Sequence, residues 1–88
     1  MNSYNLICSP ETLGGHVHFS VMMRDIKRHI FVSSVSVESD ARQRLCGSEA
    51  AIYVMQNIRR FVDAARAKIG DGTAQSITLD ESDGPLRH

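Results

Sequence analysis

The chain has 88 residues, of which 42% are hydrophobic and 23% charged, the size and make-up of one globular domain. Ten Lys/Arg balance ten Asp/Glu, so bulk charge gives no drive toward polyanions or membrane surfaces. No run approaches the length of a membrane span, and the opening MNSYNLICSPE has neither a basic n-region nor a long apolar h-region, which predicts a cytoplasmic protein without a signal peptide.

Tyr4 to Cys8 reads as a short first strand that ends at Pro10, and Gly14-Gly15 supplies the backbone freedom for a turn. His16 to Met23 alternates, with Val17, Phe19, Val21 and Met23 on one face and His16, His18, Ser20 and Met22 on the other. A tight turn at Arg24-Asp25 then feeds a second long strand, Ile26 to Val37. That hairpin sets Val17 opposite Val32, Phe19 opposite Ile30 and Met23 opposite Ile26. Phe31 and Val35 fall on the opposite parity, which calls for a bulge near Ser33-Ser34 or a partly covered outer face.

Val37 to Cys46 has the spacing of a short helix, with Ser36 as N-cap and Gly47 as its stop. From Ser48 to Gly70 the chain reads as one long amphipathic helix. Ala51, Met55, Ile58, Val62, Ala65 and Ile69 make a stripe that Val54 and Phe61 widen. Ala74 to Leu79 is a last strand. Strands, then helices, then a strand predict an α+β two-layer fold over residues 1–80: an antiparallel sheet of three to four strands with a short and a long helix on one face. Residues 81–88 read as a disordered polar tail. Cys8 and Cys46 form no CxxC pair and are expected to be small buried hydrophobes in a reducing compartment.

Three sets of residues carry candidate chemistry. His16, His18 and His29 share one strand face, and His-x-His places two imidazoles about 7 Å apart along the strand. They are the candidate metal ligands, although zinc requires three or four and a fourth is not evident. Arg42, Arg44, Arg59, Arg60 and Arg66 form the basic cluster that would meet nucleic-acid phosphate. Arg24 to Lys68 holds nine Lys/Arg against five Asp/Glu, but Asp63 lies within reach of Arg59 and Arg66. Ile52 and Tyr53 lie outside the helix's apolar arc and would contact the short helix or form a self-association surface. No nucleophile turn, paired carboxylates or cofactor loop is present, so the chain reads as a non-enzymatic module without a cofactor. Its expected partner is an unidentified protein or a second copy in a homodimer; nucleic acid ranks second and metal third.

The run Val37-Glu38-Ser39-Asp40-Ala41-Arg42-Gln43-Arg44-Leu45 is the acidic start to a short helix. An alternating hairpin precedes it, and the step Asn57-Ile58-Arg59, DAARAKI and a final strand follow. In this order the chain resembles the small bacterial proteins grouped as domain of unknown function 1488, over roughly residues 4 to 80. Leu6-Ile7-Cys8-Ser9-Pro10 departs from the Ile-x-Phe-Pro-like strand with which that family often begins. The resemblance implies a two-layer α+β fold and no activity.

Overall fold

The computed structural model describes residues 4–80, and the tail expected over 81–88 lies outside them. The protein is an α+β domain. Its elements run β1 (Tyr4–Leu13), β2 (His16–Met23), β3 (Ile26–Ser33), α1 (Ser34–Ala41), α2 (Ser48–Gln56), α3 (Ile58–Ile69) and β4 (Ser76–Leu79). The strands form one open sheet in the order β1-β2-β3-β4.

The β2–β3 hairpin has the predicted register: Val17 faces Val32, Phe19 faces Ile30 and Met23 faces Ile26. Its two-residue turn sets both Arg24 (φ 56°) and Asp25 (φ 63°) left-handed, the backbone that a tight hairpin of this twist demands. Arginine is not favoured there, and its side chain is held: Nη1 donates to the Gly70 carbonyl at 2.8 Å. β1 is longer than expected. Pro10 does not end it but falls in the second of two irregularities, between Cys8 and Glu11, where an edge strand tolerates a missing N–H.

The sheet is mixed, not purely antiparallel. β1, β2 and β3 form an antiparallel meander, whereas β4 runs parallel to β3, with Ile30 beside Ile77 and Val32 beside Leu79. The cause is the return path. The helices carry the chain back so that Gly70, at the end of α3, meets the β2–β3 turn, and β4 restarts at the end where β3 began. Gln75 then accepts a hydrogen bond from the His29 amide at 2.7 Å.

The single long helix of the sequence reading is two helices. Asn57 (φ −121°) interrupts it, and its Nδ2 donates to the Tyr53 carbonyl at 3.0 Å, competing for an acceptor of the helical ladder. The break shifts the apolar stripe. Ala50, Ala51 and Val54 bury the α2 face, Phe61, Val62, Ala64 and Ala65 bury that of α3, and Met55 is left 44% exposed. The short helix begins earlier than predicted, because Ser33, not Ser36, is the N-cap: its Oγ accepts from the Ser36 amide at 3.1 Å. It therefore ends before Gly47, with Arg42 left-handed as C-cap, and Val35 belongs to α1 rather than to a bulged strand.

All three helices cover the face that carries Val17, Phe19, Val21, Met23, Ile30 and Val32, which form one core with Val54, Phe61, Val62, Ile77 and Leu79. Cys8 and Cys46 are exposed free thiols rather than core residues: Cys8 stands on the edge strand and Cys46 in the loop before α2. Among the described residues no helix is long and apolar enough to cross a membrane.

Candidate functional site

The face of the sheet away from the helices holds the histidines. Pairing across the strands aligns Cys8, Ser20, His29 and Ser76 in one row, and Glu11, His18, Phe31 and Thr78 in the next. His18 and His29, diagonal neighbours, meet with His18 Nε2 3.1 Å from His29 Nδ1. Their rings are inclined by 19° with centroids 5.3 Å apart. Phe31 lies 4.8 Å from His18 and, edge-on, 6.4 Å from His16, so the face carries a continuous ladder of rings. Two polar atoms on it are buried without a hydrogen-bond partner: His18 Nδ1 and Ser20 Oγ.

The structure thus brings together two of the three predicted ligands and leaves His16 beside Phe31. Among the described residues no three His, Cys, Asp or Glu gather where they could hold a metal ion. The tautomer argues the same way. A metal on His18 Nε2 would force the proton onto Nδ1, where no acceptor waits, whereas ligating histidines normally donate that second N–H. His18 and His29 thus form a hydrogen-bonded pair, and His16 stands apart from it beside Phe31.

Two of the five candidate arginines are paired with carboxylates. Arg60 Nη2 binds Asp40 Oδ1, and Tyr53 Oη donates to Asp40 Oδ2 at 2.6 Å, so one nearly buried carboxylate pins α1, α2 and α3 together. Burial opposes the charge on Arg60, but the bonds to Asp40 and Tyr53 outweigh it and raise its pKa. Burial also raises the Tyr53 pKa, and the bond to Asp40 adds to it. Arg66 pairs with Asp63 at 3.1 Å, one helical turn away. Arg42, Arg44 and Arg59 are exposed, the first as a helix cap and the second in the loop after it. Tyr53 fulfils the expectation that it touches the short helix; Ile52 remains 54% exposed.

One residue escaped the sequence reading. Arg28 shares the parity of Ile26, Ile30 and Val32 and is fully buried on the helix-covered face. Its Nη1 donates to the Ala74 carbonyl at 2.8 Å and its Nε to the Met23 carbonyl at 3.4 Å, while Nη2 is buried without a partner. The signal was present: a cation at a core position of an alternating strand.

The last surface is the β1 side. Among the described residues no strand pairs with the outer edge of β1, and Ile7 (42%) and Leu13 (49%) are exposed along it. α2 packs on β1, and Tyr53 turns one flank of that helix toward α1, leaving Ile52 and Met55 on the other. The opposite sheet edge differs: β4 has four residues, and the Lys68 ammonium donates to the Thr78 carbonyl. No protein-family model, no curated protein and no solved structure matches this chain.

Proposed function

We propose that this chain is a non-enzymatic, cytoplasmic interaction module that associates with a second copy of itself through the β1 side. The observation that carries this reading is the contrast between the two sheet edges: one short and occupied by a lysine, the other ten residues long, with Ile7 and Leu13 exposed along it and Ile52 and Met55 exposed on the helix that packs on it. An unpaired edge strand suits antiparallel pairing about a two-fold axis, since the same backbone groups serve both partners. The bulges and Pro10 limit that pairing to part of the strand and leave side-chain contact from α2 to supply the rest. The order of elements also resembles that of the domain of unknown function 1488, a resemblance that brings no activity with it. Nucleic-acid binding has less support, because Arg60 and Arg66 are engaged with carboxylates.

Sedimentation equilibrium tests this. The mass is expected to rise from 9.8 kDa toward twice that value with concentration, and Ile7→Lys combined with Ile52→Glu is expected to hold it at the monomer. A parent chain that stays monomeric to about 1 mM, the concentration at which a dimer worth about 4 kcal/mol would be half formed, rejects self-association.

A further inference from the structure

We infer that His18 and His29 form a proton latch on the open sheet face: a single N–H from His18 Nε2 to His29 Nδ1 holds both rings while they are neutral, and mild acid releases it. The tautomers fix the direction of this bond. Nε2 of His18 lies 3.1 Å from Nδ1 of His29, and His18 Nδ1 is buried without a partner. If His29 were the donor, the proton of neutral His18 would sit on Nδ1, a buried donor with no acceptor. With His18 Nε2–H as donor, Nδ1 is a bare nitrogen and His29 keeps its own proton on Nε2. Adding a proton to His18 puts a hydrogen on that same Nδ1, and adding one to His29 Nδ1 removes the acceptor. Every protonated form therefore breaks the bond or creates a buried orphan donor. Only the neutral pair fits the geometry.

The charged and titratable groups on this face come from three strands. β1 gives Glu11 and Cys8, β2 gives His16, and β3 gives Lys27 beside His29; β4 contributes only Ser76 and Thr78. Burial lowers the His18 pKa from 6.5, His29 and Lys27 lower it further, and Glu11 opposes them. Between that lowered value and 6.5 the unfolded chain holds a proton on His18 that the native chain does not. The latch's contribution to stability is thus complete above that window and declines as pH falls through it. Released, the ladder His16–Phe31–His18–His29 gains positive charge and loses its fixed spacing. The latch does not depend on the self-association reading, since it is measured on the monomer.

Long-range proton–nitrogen spectra of the dilute, labelled full chain read it directly. At neutral pH, His18 is expected with Nε2 protonated and Nδ1 bare. On acidification, the Ser20 and Phe31 amide shifts are expected to move with the His18 midpoint, and that midpoint is expected to rise in His29→Ala. A native His18 carrying its proton on Nδ1 overturns the latch. So does a midpoint unchanged in both His29→Ala and His29→Gln.

Discussion

The two faces of the β2–β3 hairpin are built from the same sixteen strand residues by opposite rules. On the helix-covered face Val17, Phe19, Val21, Met23, Ile30 and Val32 are shut away from water, and shape and area decide what fits. On the open face the residues are His16, His18, Ser20, Met22, Lys27, His29 and Phe31, and hydrogen-bond geometry decides. Each face holds one exception to its rule. Arg28 is a cation inside the apolar layer, bonded to two backbone carbonyls rather than a carboxylate and left with Nη2 unpaired. Ser20 is a fully buried hydroxyl on the open side, without a partner. The lesson is that strand parity assigns a side chain to a face, but the loops and neighbours above that face decide whether it is tolerated there.

The two faces differ most at Phe19. Phe19→Ala removes a fully buried ring from the covered face and is expected to cost about 3–5 kcal/mol in urea unfolding. A loss no greater than that of an open-face substitution such as His16→Ala would erase the distinction between the faces. Arg28 sharpens it. Arg28→Ala is expected to cost about 2–4 kcal/mol through the cavity it leaves. Arg28→Met, which keeps most of the volume and discards an incompletely paired charge, is expected to stay within about 1.5 kcal/mol of the parent. Equal losses in the two variants would mean that the bonds to Ala74 and Met23, not the filling of space, are what Arg28 supplies.

The hairpin was readable in the sequence because a period of two admits only two faces, and the apolar residues of both strands agreed on one turn position. The last strand's inward Ile77 and Leu79 were readable for the same reason. Its direction was not, since that depends on where three helices return the chain, which no local pattern encodes. The break at Asn57 was hidden because the apolar spacing continues almost unchanged across it, and only the exposure of Met55 betrays it. On the open face the shared parity of His18 and His29 was legible, but their diagonal contact was a matter of side-chain orientation, as was the separation of His16. Two of the five arginines are claimed by carboxylates, Arg60 by Asp40 and Arg66 by Asp63, and Asp40 does so across twenty residues.

Arg24 and Arg28 reach from the hairpin to Gly70 and Ala74, on either side of the loop that launches β4. They tether the one strand whose partner lies far away along the chain, so closing it carries the largest entropy debt in the sheet. The meander can therefore outlive the fourth strand: partial opening would shed β4 first and uncover one flank of Ile30 and Val32 while the hairpin stays intact. Native-state hydrogen exchange would register that order as Ile77 and Leu79 amides exchanging ahead of those of Phe19 and Val21, and the reverse order would show that the sheet yields from its other side.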